Sequence, residues 1–204
     1  PFTQEQGIVL KRLYYSDYYF FNETQDIDNK EESFFDENGN RVLWFLYDWD
    51  SESESFINEF KEERNYDNNE NITLKISYNW DSNSETFIPT DKFEYYYDNN
   101  ENLTSLVQYY WNSDSETFIQ SNKNEYSYDN NNNQTLRIEY YYTVPEVLVP
   151  SGKYEYLYDN NNNETLRIEY YWDMGSETFI PSNKYERFYD NEDKLTTRTR
   201  YTWD

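Results

Sequence analysis

Residues 153–172 read Lys-Tyr-Glu-Tyr-Leu-Tyr-Asp-Asn-Asn-Asn-Asn-Glu-Thr-Leu-Arg-Ile-Glu-Tyr-Tyr-Trp. Side chains alternate with a period of two on both sides of the asparagine run, as they do in β-strands. Asp and Asn tolerate left-handed backbone and cap their own turns, so residues 159–163 predict a turn. The stretch therefore predicts a β-hairpin. The tyrosines of its first strand share one side, and the second strand has an apolar side made of Leu166, Ile168, Tyr170 and Trp172.

The hairpin also has charged sides. Lys153 and Glu155 alternate with the tyrosines of the first strand, and Arg167 and Glu169 alternate with the apolar side chains of the second. We expect the four apolar residues of the second strand to be more buried than Arg167 and Glu169. We also expect Lys153 and Glu155 to form cross-strand ion pairs with Arg167 and Glu169, or with their neighbours in the next copy.

The hairpin recurs along the chain. An aromatic–Asp pair returns at spacings of 31, 31, 31, 30 and 31 residues, and its aspartates are Asp36, Asp67, Asp98, Asp129, Asp159 and Asp190. A Trp or Tyr follows thirteen residues after each of them, then a second turn and a further strand, which Pro89 should break or bulge in one copy. The sequence predicts an all-β fold of antiparallel β-hairpin tandem repeats with a period of about 31, in an elongated meander or solenoid-like sheet. Whether the sheet closes, coils or runs flat stays open.

The repeat also divides the chain. Residues 36–204 form the array, and residues 1–35 are interpreted as a degenerate N-terminal repeat and assembly segment in which residues 7–17 resemble a worn strand. A one-residue deletion between Tyr142 and Leu148 predicts a loop. The chain begins with Pro1 rather than Met, so we expect a processed or partial product.

Composition limits the functional classes. The 204 residues include 17 basic and 41 acidic ones, and a net charge of −24 disfavours nucleic acid and anionic membrane as partners. The 25 Tyr, 13 Phe and 6 Trp indicate an ordered chain rather than a disordered acidic one. The absence of Cys and His excludes disulfides, thiolate nucleophiles, histidine acid–base chemistry and the usual zinc sites. No apolar run is long enough for membrane insertion. Near-identical copies offer no unique catalytic constellation, so we predict no catalytic residues and no enzyme activity.

The Asp-x-Asn-x-Asn turns have two candidate uses besides turn formation. Alternate oxygen side chains resemble the first half of a calcium loop, although a bidentate Glu at a fixed later position is lacking. Calcium is the one cofactor considered, and its candidate ligands are Asp36, Asn38, Asp67, Asn69, Asp98, Asn100, Asp129, Asn131, Asp159 and Asn161. The same turns create Asn-x-Thr sequons, so the candidate glycosylation sites are Asn22, Asn71, Asn102, Asn133 and Asn163.

A third candidate site is aromatic. Tyr110, Tyr141 and Tyr171 fall on the side of their strands opposite the apolar residues, where an exposed aromatic ladder would stack on sugar rings. The other rows of Tyr and Trp are interpreted as core.

The pattern Tyr-Asp-Asn-Asn-x-Asn-x-Thr, then a strand ending in Trp-Asp, then Ser-Glu-Thr-Phe-Ile-Pro, resembles the tandem repeats of secreted surface proteins of the Bacteroidota, flavobacteria especially. A more distant similarity is to the YD repeats of RHS shell proteins. Two features depart from these patterns: the turn glycine survives only as Gly39, and a C-terminal sorting domain is lacking. The resemblance implies export and an extracellular or cell-surface location in a bacterium.

Assembly is the last expectation. The strand at residues 195–203 is β-prone and carries Arg198, Arg200, Tyr201 and Trp203, whereas the N-terminal third is acidic. We expect this edge to contact residues 2–35 of the next molecule in a head-to-tail homopolymer. The competing explanation is that the chain is a piece of a longer array, whose next repeat would cover the same edge. The predicted function is that of an extracellular structural or adhesive fibre subunit. The alternative is a carbohydrate-binding surface module that uses the exposed aromatics.

Overall fold

The computed structural model describes residues 18–21, 27–143 and 147–203. Within them the chain forms thirteen β-strands that follow one another through the sheet in chain order. The strands are β1 (Tyr18–Phe21), β2 (Ile27–Phe35), β3 (Arg41–Asp50), β4 (Ser55–Tyr66), β5 (Ile72–Asp81), β6 (Thr86–Tyr97), β7 (Leu103–Asn112), β8 (Thr117–Tyr128), β9 (Gln134–Thr143), β10 (Val147–Tyr158), β11 (Glu164–Asp173), β12 (Thr178–Tyr189) and β13 (Leu195–Thr202). The predicted all-β fold of antiparallel hairpin repeats in a meander is confirmed. The described residues contain no helix long and apolar enough to cross a membrane.

The chain divides into two compact units. The first comprises residues 1–94, as far as they are described, with Tyr110–Ile119; the second comprises Tyr95–Tyr109 and the residues from Gln120 onward. This division follows contacts rather than repeat boundaries. The proposed worn strand at 7–17 lies outside the described residues, as do residues 144–146 of the predicted loop.

The register of β10 and β11 shows how the hairpin is built. Lys153 lies opposite Tyr170 and Glu155 opposite Ile168, while Tyr154 lies opposite Glu169. Residues that oppose each other across an antiparallel pair share a face. The charged side of β10 therefore shares a face with the apolar side of β11. We call the face that carries the Lys-x-Glu pairs of the repeat the ladder face, and the other the opposite face.

Most side chains on both sides of β11 are half-buried, so the predicted contrast in burial stays a prediction. Leu166, Ile168, Tyr170 and Trp172 are half-buried, and so are Arg167 and Glu169, whose side chains retain 26% and 21% of their exposure. No described side chain is fully buried, and even Leu43 and Val107 keep 8% and 6% of their exposure. The alternation itself is confirmed.

The predicted cross-strand ion pairs are also wrong. Lys153 Nζ lies 2.9 Å from Glu155 of its own strand, and Arg167 Nε lies 3.3 Å from Glu169 of its own strand. The register explains this result. It places uncharged Tyr170 and Ile168 opposite the two charges of β10, so the nearest opposite charge on the same face lies two residues along the strand.

The predicted turns and bulges are present. Asp67 N donates to Asn71 O at 2.9 Å and Glu70 N donates to Asp67 O at 3.2 Å, which closes the turn between β4 and β5. Where the structure describes the connection, a turn after Trp-Asp or its equivalent joins the next strand, as at residues 82–85. The predicted irregularity at Pro89 is a bulge, because Tyr78 pairs with Pro89 while Ser77 pairs with Asp91.

Candidate functional site

The ladder face carries the same polar arrangement in five copies of the repeat. A Lys bonds the Glu two residues on, and a Tyr hydroxyl of the following strand donates to the same Glu. These tyrosine bonds are Tyr47 to Glu32 (2.9 Å), Tyr78 to Glu63 (2.9 Å), Tyr140 to Glu125 (2.9 Å), Tyr170 to Glu155 (2.5 Å) and Tyr201 to Glu186 (3.0 Å). Each bond joins neighbouring strands through side chains. The arrangement is structural, because it fixes the register that the backbone alone leaves free.

Aromatic pairs lie beside this arrangement. The Trp that ends a strand packs edge-on against the Phe that begins the next, with ring centroids 4.9–5.1 Å apart: Trp49–Phe56, Trp80–Phe87, Trp111–Phe118 and Trp172–Phe179. A Lys ammonium also lies over that Phe, as Lys153 does over Phe179 at 5.5 Å. Each such pair adds about 0.5–1.5 kcal/mol beyond the area that it buries.

The strand β13 makes the tyrosine contacts of the repeat, but its Trp has no Phe partner among the described residues. Tyr201 bonds Glu186 and Lys184 lies over Tyr201, as in the other copies. Trp203, which corresponds to Trp172, is 45% exposed, and among the described residues no Phe packs on it. The sheet order places β12 on one side of β13 and no described strand on the other.

An arginine cluster on the opposite face accompanies this edge. The guanidinium groups of Arg167, Arg198 and Arg200 lie 4.5, 5.3 and 5.7 Å from the centre of the Tyr185 ring. Arg200 also donates to Asn183 Oδ1 at 2.8 and 3.2 Å. The sequence analysis missed Tyr185. The cluster could have been predicted from the repeat. β9 and β11 carry the ion pairs Arg137–Glu139 and Arg167–Glu169, and at the equivalent positions β13 carries two arginines, Arg198 and Arg200.

The turn aspartates use their oxygens within the turn. Asp129 Oδ1 accepts the backbone N–H groups of Asn131 and Asn133, and Oδ2 accepts Asn133 Nδ2 at 3.1 Å. These bonds, with the backbone N–H of Asn133 contributing most, lower the pKa of Asp129 below its usual value. In the described part of the chain no group of three or more Asp or Glu side chains is placed to hold a metal ion. The calcium ligand set stays an untested prediction.

The side-chain amides of the sequon asparagines also form hydrogen bonds. Asn133 Nδ2 donates to Asp129 Oδ2 and to Asn162 Oδ1, at 3.1 and 2.8 Å. Asn102 and Asn163 donate in the same way to their own Asp and to the turn two strands on, while Asn71 bonds its own Asp67 at 3.3 Å. An N-linked sugar would leave one hydrogen on Nδ2, so one of the two bonds would break. Glycosylation stays a prediction, and Asn22 lies outside the described residues.

The proposed aromatic ladder is uneven. Tyr110 and Tyr171 are 44% and 51% exposed, whereas Tyr141 is half-buried. Tyr110 belongs to the first unit, and the other two belong to the second. Within the second unit Tyr171 lies opposite Ile180, on the same face as Arg167. The sequence predicted all three as surface aromatics, and two of them, Tyr110 and Tyr171, are exposed.

Comparison with known proteins adds little to the site. No family model matches the chain, and no curated protein matches it. The chain is similar to the solved structure of a protein of unknown function from Bacteroides fragilis, with a TM-score of 0.49 and 20% identity over 62% of this chain and 90% of that one. It is also similar to a DUF3836 family protein from Bacteroides vulgatus, with a TM-score of 0.39 and 22% identity over 46% of this chain and 90% of that one. Another DUF3836 family protein, from Parabacteroides distasonis, has a TM-score of 0.37 and 17% identity over 45% of this chain and 81% of that one. Similarity at this level does not extend to function.

Proposed function

We propose that this protein is an extracellular structural and adhesive repeat protein, the subunit of a head-to-tail homopolymer at a bacterial surface. The observation that carries the proposal is the arginine cluster of β13, where the guanidinium groups of Arg198 and Arg200 lie 5.3 and 5.7 Å from the centre of the Tyr185 ring in a chain of net charge −24. The export half of the proposal rests on the resemblance to secreted repeat proteins.

The backbone of β13 supports strand addition. An edge strand offers a row of free N–H and C=O groups to another chain unless charge, Pro or a bulge blocks it. β13 contains no Pro, and its register irregularity lies at its start, where Leu195 pairs with Tyr189. An incoming strand with an aromatic ring at the Phe179 position would complete the contact that the other Trp residues make.

Charge supports the choice of partner. Arg198 and Arg200 stand where β9 and β11 carry Arg-x-Glu, so this edge is locally positive in a chain of net charge −24. The N-terminal region at residues 2–35 is acidic, with Asp26, Asp28 and the Glu31-Glu32 pair. Opposite potentials favour head-to-tail contacts and disfavour like-end contacts. Because a head-to-tail contact does not close on itself, it produces a filament rather than a dimer.

The test is self-association measured by analytical ultracentrifugation over a range of concentrations at physiological salt. We expect Trp203→Ala and Arg200→Glu, the second of which restores the inner Arg-x-Glu pair, each to weaken association about tenfold. Tyr110→Ala, an exposed aromatic away from the edge, serves as control. A strictly monomeric wild-type protein at high concentration, or filaments that persist after deletion of residues 195–204, would contradict the proposal.

A second candidate function is carbohydrate binding through the exposed aromatics. Its support is the exposure of Tyr110 and Tyr171, since exposed rings without a packing role are available for stacking. Pull-down with insoluble polysaccharides, comparing wild type with Tyr171→Ala, separates this candidate from the first: binding that is insensitive to Tyr171→Ala, Tyr141→Ala and Tyr110→Ala removes it.

A further inference from the structure

A cleft opens in the first unit where β5 parts from β4. It is open to solvent, has a volume of about 460 Å³ and is lined by Trp44, Leu46, Glu59, Phe60, Asn79 and Trp80. Phe60 and Asn79 form the last pair between β4 and β5 on this side. Glu59 is the extra residue of the β4 bulge, because Leu46 pairs with Phe60 while Tyr47 pairs with Asn58. The bulge therefore turns an acidic side chain toward the gap.

Four residues of this cleft depart from the repeat. At the position of Trp44, four of the five other copies carry Lys or Arg, namely Lys75, Arg137, Arg167 and Arg198. Leu46 replaces polar or charged side chains such as Ser77 and Glu139. Phe60 stands where Asp91, Asn122, Gly152 and Asn183 stand. Trp44 also takes part in the fold, because its Nε1 donates to Glu31 Oε2 at 3.3 Å. The cleft is thus lined by residues that are specific to this copy.

The bulge residue shows the change most clearly. In other copies it is Thr90, Ser121 or Ser182, whose hydroxyl donates to a backbone carbonyl of the previous strand at 3.0–3.2 Å. Glu59 replaces this local bond with a carboxyl group at the wall of the cleft. Burial, and then the neighbouring Asp48 carboxylate, raise the pKa of Glu59. A carboxyl group held in this way is well suited to exchange hydrogen bonds with ligand hydroxyls.

The apolar walls supply the other half of a binding site. The rings of Trp44 and Phe60 lie 5.3 Å apart at an interplanar angle of 58°, and Trp80 lines the same cleft. Asn79 adds an amide that both donates and accepts. Aromatic walls with a few convergent polar groups are typical of small-ligand sites. The ligand must present apolar C–H surface and several hydroxyl groups, and the net charge of −24 disfavours an anion.

We propose that this cleft binds a neutral saccharide, with one sugar ring against Trp44 and Phe60 and its hydroxyl groups bonded to Glu59 and Asn79. The site is separate from Tyr110, Tyr141 and Tyr171, and it does not depend on assembly through β13. Its specificity rests on copy-specific residues, so one chain offers one such site rather than a row of equivalent ones.

The test replaces residues of the cleft with the residues that other copies carry at the same positions. Binding of cellohexaose, xylohexaose, mannohexaose and laminarihexaose is measured by isothermal titration calorimetry on the full chain. At least one should bind, and Trp44→Lys and Glu59→Thr, which copy Lys75 and Thr90, should each weaken it by about tenfold or more. The fold tolerates those residues at those positions in other copies, and near-ultraviolet circular dichroism confirms folding.

Tyr171→Ala is the matched control, and it should leave the affinity unchanged. The proposal is overturned if none of the four hexasaccharides binds, or if the folded Trp44→Lys variant binds as tightly as wild type. It is also overturned if Tyr171→Ala weakens binding as much as Trp44→Lys does, because the sugar would then sit on the surface tyrosines. Loss of filaments in Trp203→Ala with saccharide binding intact would show that the two proposals are independent.

Discussion

At the scale of single residues, the turns place side chains in left-handed backbone. Glu70 and Glu101 have φ of 68° and 66°, at the position where Gly39 has a φ of 90°. Asn132 and Asn162, at the same position, bear this conformation more easily, because Asn tolerates it better than Glu does. The strain is offset by the fixed bonds of the Asp carboxylate, such as the two that Asp67 accepts from the N–H groups of Asn69 and Asn71.

Replacing Glu70 with Gly should therefore stabilise the protein. We expect Glu70→Gly to raise the free energy of unfolding by about 0.5–1 kcal/mol, because Gly adopts positive φ without a steric penalty. Urea denaturation followed by tryptophan fluorescence provides the measurement. Asn69→Gly is the control in the same turn: φ is not positive there, so Gly should destabilise. Equal effects of the two substitutions would show that the backbone of Glu70 is not strained.

At the scale of the hairpin, side chains connect neighbouring strands. Tyr170 of β11 donates to Glu155 of β10 at 2.5 Å, and Lys153 bonds the same Glu. Burial raises the pKa of Tyr170, and the hydrogen bond to the Glu155 carboxylate raises it further, to about 12. Burial alone would raise the pKa of Glu155, but the bonds from Tyr170 and Lys153 outweigh it and lower that pKa.

Tyr170→Phe tests the strength of this connection. We expect the free energy of unfolding to fall by about 1 kcal/mol at pH 7, since a partly exposed hydrogen bond to a charged group is lost. The folded pKa lies above the unfolded value of about 10, so the contribution of the phenol is complete below pH 10 and declines as pH rises toward 12. The difference between wild type and variant should thus shrink as the pH rises from about 10 toward 12.

The control for this substitution is the neighbouring Tyr171→Phe, because Tyr171 is 51% exposed. Tyr171→Phe should change the free energy of unfolding by less than about 0.5 kcal/mol, both at pH 7 and at pH 11. A difference between Tyr170→Phe and wild type that stays constant from pH 7 to pH 11 would mean that the phenol does not bond the carboxylate in solution.

At the scale of the whole chain, acidic turns set the charge. Eight aspartates that begin the turns of both kinds have a pKa below the usual value: Asp36, Asp50, Asp67, Asp81, Asp98, Asp129, Asp159 and Asp173. Glu59 shifts in the opposite direction. The folded chain therefore holds fewer protons near pH 4 than the unfolded chain does.

Isoelectric focusing should reveal this difference. We expect the native protein to focus below the value of about 4.2 that the sequence gives, and the same protein in urea to focus near it. Because the folded pKa values are depressed, these aspartates contribute stability above the unfolded value of 3.8, and the contribution is lost as pH falls through the folded values. Native protein that focuses at or above the position of the unfolded protein would contradict the turn geometry.

The sequence by itself determined the strands, the turns and their period. Strict alternation, Asn-rich turns and a spacing of 31 residues are local signals, so they predict hairpins in a meander without knowledge of packing. They also located the exposed Tyr110 and Tyr171, and the bulge beside Pro89. Local signals do not state which side of one strand lies against which side of the next, because a shift of one residue exchanges the faces.

Only the tertiary structure decided that pairing and its consequences. It placed Lys153 and Glu155 on the face of Tyr170, so these two charges pair along their own strand while Tyr170 bonds across to Glu155. It left most side chains on both sides of β11 half-buried, where the sequence predicted that the apolar side is the more buried of the two. It also gathered Trp44, Glu59 and Phe60 into one cleft, because residues fifteen positions apart meet only when a bulge and a strand register bring them to the same face.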